Sequence, residues 1–118
     1  IQYIRVHLSV EYDRGFVVQQ VNNAINERLR TYFSGLPYGA WIEVSDVMLA
    51  VRQVLGVDNV RLTKSTDDGV VSTNYGIHTF SDNADIVPSG IYDDEDFKLF
   101  DNQLPVFLDA VIRRTANR

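Results

Sequence analysis

Ile4, Val6, Leu8, Val10 and Tyr12 alternate strictly with Arg5, His7, Ser9 and Glu11. A period of two sends the first set to one side of the backbone and the second to the other, which predicts a half-buried strand. The period then changes. Val18, Val21, Ile25, Leu29 and Tyr32 recur at spacings of three and four, with Val17, Ala24 and Phe33 widening the stripe. Gln20, Asn23, Glu27 and Arg30 fall largely elsewhere on the wheel, so the segment reads as an amphipathic helix of about five turns. Asp13 offers an N-cap to it. Gly35, a residue that tolerates the left-handed conformation, and Pro37 close it.

After a turn over Leu36–Gly39, Trp41–Val44 suits a short strand. Ser45 is placed to cap a second helix, with Asp46 favourable to the positive end of its dipole. Val47, Val51 and Val54, assisted by Ala50 and Leu55, supply its buried stripe, and Gly56 ends it. Val57, Val60 and Leu62 read as the next strand. Beyond Lys64 the periodicity weakens. Val70–Thr73 and Tyr75–Phe80 fit two arms of a hairpin or a loop, and Ser81–Asp96, rich in Asp, Asn, Ser, Gly and Pro, reads as an exposed connection. Order returns at Phe97–Phe100. In Val106–Thr115 the alternation of Val106, Leu108, Ala110 and Ile112 favours a strand, whereas Phe107, Val111 and Arg114 suit a helix. Both readings stand. The expected fold is α+β: a strand–helix–helix–strand core with two helices on one face of a small sheet, C-terminal strand elements and an acidic loop.

At 118 residues the chain has room for one domain, and its 45% hydrophobic content is enough for a packed core. No apolar run approaches the ~20 residues of a membrane span, and no membrane contact is expected. The chain opens on Ile1 and enters a strand almost at once, which reads as a piece of a longer structural polypeptide. It has no cysteine, so disulfides, thiolate metal sites and cysteine nucleophiles are excluded.

The net charge is −5 and unevenly spread. Nine acids and a single base, Lys98, lie between Asp67 and Asp101, leaving seven acids and ten bases for the rest. An acidic third is poorly matched to a phosphate backbone, whose binding draws on clustered Lys and Arg, and argues against nucleic acid as partner.

Candidate chemistry is sparse. The two histidines, His7 on the polar face of the first strand and His78 in a weakly patterned segment, lack further ligands at metal-site spacing. Serines are present, but none sits in a nucleophile elbow, and no phosphate-binding glycine loop occurs. Glu43 and Asp46 read as helix-capping carboxylates rather than an acid–base pair. The run Asp93, Asp94, Glu95, Asp96 lacks the alternating spacing that wraps calcium. It reads as a solvated loop with a second role, facing a basic patch on a partner. Tyr32, Tyr38 and Trp41 cluster at the end of the first helix, where core packing and anchoring of a protein interface are both open. No catalytic residue, cofactor or small-molecule substrate is expected.

The order Ile4–Tyr12, Val17–Phe33, Ile42–Glu43–Val44–Ser45–Asp46–Val47, then Val54–Leu55–Gly56–Val57–Asp58–Asn59–Val60–Arg61–Leu62 resembles the C-terminal region of baseplate J-like proteins of phage tails. Asp101–Asn102–Gln103–Leu104–Pro105–Val106 is similar to the family's closing element, which leads into a last strand. The stretch from Asp67 to Phe100 and the ending Arg113–Arg118 depart from its compact finish. The resemblance implies a structural and assembly module of a tail baseplate or related injection machine, in the virion tail and assembled in the host cytoplasm. It implies contacts with other tail or baseplate proteins, and with copies of itself, and carries no active site. On that reading Asp93, Asp94, Glu95, Asp96, Trp41 and Tyr38 are the partner-binding candidates. A different class remains as the alternative: a small ligand-binding or regulatory α+β domain that uses its sheet as a platform.

Overall fold

The structure is a computed structural model and describes residues 2–64, 66–67, 75–80, 91–93 and 95–114, with the backbone alone at 91–93. The order of elements is β1 (Gln2–Tyr12), α1 (Val18–Ser34), β2 (Trp41–Ile42), α2 (Val44–Arg52), β3 (Val57–Leu62), β4 (Ile77–Phe80), β5 (Ile91–Asp93), β6 (Phe97–Lys98) and β7 (Pro105–Arg114). The expected α+β core is present, with the period-two segment β1 at its centre.

β1 uses both edges. Along one it pairs in parallel with β7, from Gln2 opposite Pro105 to Val10 opposite Arg114. Along the other, β4 and β3 lie end to end, both antiparallel: β4 covers Tyr3–Val6 and β3 covers Leu8–Tyr12. His7 stands opposite the break. Its carbonyl accepts the Thr63 N–H at 2.9 Å and its N–H donates to the Gly76 carbonyl at 2.9 Å. The Gly76 N–H closes the excursion onto the Thr63 carbonyl at 2.8 Å. No backbone group of β1 is therefore orphaned where the neighbouring strand is interrupted. β5 extends the sheet beyond β4.

Ile4, Val6, Leu8 and Val10 are fully buried and meet Val21, Ile25, Leu29 and Phe33 of α1 and Val47, Ala50 and Val51 of α2 in one cluster. Each such side chain contributes about 1.5–3 kcal/mol through removal from water. Two anchors lie outside this apolar set. Arg5 pairs with Asp109 of β7 through Nε–Oδ1 at 2.7 Å and Nη2–Oδ2 at 3.3 Å. Asn26 of α1 accepts the Ala110 N–H on its Oδ1 at 2.9 Å, satisfying a β7 backbone donor.

Several expectations need correction. Asp13 does not cap α1: its N–H bonds the Gly56 carbonyl, and the N-cap is Val17 without a side-chain bond. Val17 and Ala24 are exposed and do not widen the stripe. Gly35 ends α1 in the right-handed region at φ −85°, with its N–H folded back onto the last turn. α2 starts two residues earlier than Ser45 predicts, with Glu43 as N-cap. Leu55 is exposed, because the helix stops at Arg52 and the stripe's geometry stops with it. Gly56 follows at φ +100°, where a Cβ would lie 2.7 Å from Val21 Cγ2, so glycine there meets both a backbone and a packing requirement.

The region after Lys64 is more ordered than its composition suggests. Ile77–Phe80 is a strand, whereas Val70–Thr73 lies outside the described residues. Within the segment read as an exposed connection, Ile91–Asp93 pairs with Ile77–Thr79. Val106–Thr115 resolves as strand as far as Arg114.

Candidate docking surface

The second face of β1 is not the open polar surface that alternation predicts. His7 and Ser9 are buried, as are Thr63, His78 and Thr79. Ser9 and Thr63 share a hydroxyl–hydroxyl hydrogen bond at 3.0 Å. His7, only 3% exposed, has no hydrogen-bond partner on either ring nitrogen among the described residues. Burial lowers its pKa to about 4, and the nearby Arg5 and His78 add to the effect against the opposing pull of Asp109. Such a ring is neutral at physiological pH. Among the described residues no group of three or more His, Cys, Asp or Glu is placed to hold a metal ion.

The exposed chemistry gathers elsewhere, on a two-stranded ribbon. β2 and β6 pair antiparallel, Trp41 opposite Lys98 and Ile42 opposite Phe97. The Leu99 N–H extends the pairing onto the Ala40 carbonyl at 3.0 Å, and the Gly39 N–H bonds the Gln103 carbonyl at 2.9 Å. Gly39 has φ +68°, and a Cβ there would press on the Asp101 backbone at 3.2 Å, so the turn closes only with glycine. Period two sorts the ribbon's side chains: Ala40, Ile42 and Leu99 are buried, while Trp41, Lys98 and Phe100 are exposed. Trp41 is 58% exposed, Phe100 73% and Tyr38, in the turn before β2, 63%. The core alternative for Trp41 and Tyr38 is thereby set aside, while Tyr32 is half-buried behind them.

Carboxylates rim this patch. The Val44 N–H, at the start of α2, donates to Asp96 Oδ1 at 2.7 Å, so a residue from the far end of the chain performs the capping that Ser45 was expected to do. That bond ties Asp96 to the start of α2. Glu43, Asp46, Glu95, Asp96 and Asp101 are all exposed. Glu43's pKa is raised by its hydrogen bond and repulsion with Asp46, then by burial and by Asp96. Tyr32's is raised by burial and then by Asp46, Glu43 and Asp96. Lys98 reaches Asp101 at 3.2 Å.

The structure exposes Tyr38 and Trp41 at the ribbon and holds Asp96 at the start of α2, whereas Glu95 lines the trough between α2 and β3. Asp93 contributes backbone to β5, and Asp94 lies outside the described residues. Phe100, Lys98 and Asp101 were not singled out from the sequence. The alternation Phe97, Lys98, Leu99, Phe100 was the signal for them, but only the pairing with β2 gives it meaning.

Two grooves complete the surface. One of about 260 Å³ runs beneath Phe100, lined by Gln2, Thr79, Phe97, Leu99 and Gln103. The other, about 620 Å³, is a trough between α2 and β3 over Val44, Met48, Leu49 and Val60. Lys64 and Glu95 also line it, and two of its cations are engaged, Arg52 with Asn59 at 2.9 Å and Arg61 with Asp67 at 2.8 Å. Arg61 and the Lys64 N–H, which also bonds its carboxylate, lower the pKa of Asp67.

The molecule is a small α+β domain whose exposed aromatic residues are concentrated on a ribbon attached to the core. The model of the baseplate J-like protein C-terminal domain family matches residues 4–82, more than half of the chain, and the chain belongs to that family. Membership gives it a structural role in a phage tail baseplate, as a component of the virion tail that interacts with other tail or baseplate proteins. Comparison with curated proteins and with solved structures gives no significant match. The family match takes in β1 to β4, including β2, and ends before β6. One strand of the ribbon therefore lies inside the matched region and the other beyond it.

Proposed function

We propose that this domain is a contact module of the baseplate, docking onto neighbouring tail proteins through the β2–β6 ribbon. The observation that carries the reading is the joint exposure of Tyr38, Trp41 and Phe100 beside a core that buries the alternate ribbon residues. Large aromatics held out on a rigid element are the side chains that dominate interface energetics. A ligand-binding role on the sheet is less well supported, because His7 and Ser9 show the second face of β1 to be covered.

Changing Trp41 and Phe100 together to serine tests the proposal. Both side chains are exposed, so the melting temperature stays close to wild type. A single hot-spot aromatic is worth about 2 kcal/mol, near thirtyfold in affinity, so the double variant enters tails poorly. Tails assembled at wild-type efficiency by this variant would remove the ribbon from the interface.

A further inference from the structure

The ribbon face has a chemistry that selects its occupant. Trp41, Phe100 and Tyr38 offer ring faces, and Glu43, two residues on from Trp41, and Asp101, next to Phe100, offer exposed carboxylates. Resting on the docking role proposed above, we propose that the face receives an arginine-bearing segment of a neighbouring protein. A guanidinium is planar and weakly hydrated. It stacks on an aromatic face with one side while its N–H fork reaches a carboxylate at the edge. An ammonium is a compact, strongly hydrated charge and gains less from the same surface.

The rim is arranged to be available. Asp96 is held by the Val44 N–H, but the Asp101 side chain is 98% exposed and, among the described residues, bonded only to the half-exposed Lys98 at 3.2 Å. A surface ion pair of that kind contributes little to stability, so exchanging it for an incoming guanidinium costs little. The same stacking already occurs within the molecule, with the Arg30 guanidinium 5.7 Å from the Phe107 ring centre and that of Arg114 5.9 Å from Tyr12. An acidic segment would meet repulsion from the rim. Lys98, Phe100 and Asp101 lie beyond the residues matched to the family model, 4–82.

Trp41 is the sole tryptophan, so its fluorescence reports occupancy directly. Hexa-arginine, hexa-lysine and hexa-glutamate peptides are titrated at low salt into the wild-type protein and into Phe100→Ser and Asp101→Asn/Glu43→Gln variants. The proposal expects a saturable change in Trp41 emission with hexa-arginine and about threefold or more weaker binding of hexa-lysine, the factor an exposed stacking interaction gives. It expects no response to hexa-glutamate, weaker binding by both variants, and loss of binding at high salt. Equal affinity for hexa-arginine and hexa-lysine, or affinity unchanged in both variants, overturns it. So does self-association by light scattering that the same variants abolish, which would make the occupant a second copy. If the Trp41/Phe100 serine variant fails to enter tails while hexa-arginine leaves Trp41 unaffected, docking stands and the arginine-bearing partner is wrong.

Discussion

Replacing His7 with leucine removes a ring that is 3% exposed and whose two nitrogens have no hydrogen-bond partner among the described residues. Leucine is of similar volume and leaves no polar atom to satisfy, so at pH 7.5 the variant is at least as stable as wild type. The informative difference comes at lower pH. His7 titrates at about 4 in the folded protein and near 6.5 when unfolded. Between those values the unfolded chain binds the extra proton, so wild-type stability rises with pH across that window and falls on acidification. The loss through this group is about 2 kcal/mol at pH 5 and about 3 kcal/mol below pH 4. With an unfolding entropy of about 2.1 cal/mol/K per residue, 2 kcal/mol corresponds to a shift of about 8 °C. Urea and thermal melts followed by far-ultraviolet circular dichroism at pH 7.5 and pH 5 measure it. His7→Leu should lose less stability than wild type over that interval by about 2 kcal/mol, other titrating groups being common to both. Parallel pH dependence in the two proteins would refute the buried, neutral assignment of His7.

Leu8→Ala should cost about 2–5 kcal/mol in urea unfolding, since Leu8 is fully buried at the centre of the core. A cost below about 1 kcal/mol would contradict the register of β1. Asn26→Ala strands the Ala110 N–H of β7 and should cost about 1–3 kcal/mol, with faster amide exchange confined first to β7. Asp96→Ala should cost about 1 kcal/mol, while Asp96→Asn, which keeps an acceptor for the Val44 N–H, should cost less. Equal effects of the two Asp96 variants in thermal melts would show that the bond does not hold the acidic run to α2.

β1, α1 and α2 were legible because each carries one unbroken period against one core, and β3 from the alternation of Val60 and Leu62, although a bulge at Asp58 breaks its period after Val57. β7 was not, and its register explains why. Phe107 pairs with Ile4 but Asp109 pairs with Arg5, so Leu108 is an extra residue. Core-side positions pass from Pro105 and Phe107 before this bulge to Ala110 and Ile112 after it. A strand whose period changes phase in the middle mimics a mixture of helix and strand. His7 shows a second limit: alternation tells which side a residue takes, not whether that side is covered. The ribbon shows a third. Trp41 and Tyr38 were visible as candidates, but Phe100, Lys98 and Asp101 join them through a pairing of residues more than fifty positions apart, for which two short segments leave no local period.

The central claim is that the ribbon face meets another protein in the assembled baseplate. A photo-crosslinking amino acid placed at Phe100, and separately at the exposed Gln20 on α1, reads this directly in purified tails. The account predicts a crosslink from position 100 to a different tail protein and little or none from position 20. A crosslink from position 20 with none from position 100 would contradict it.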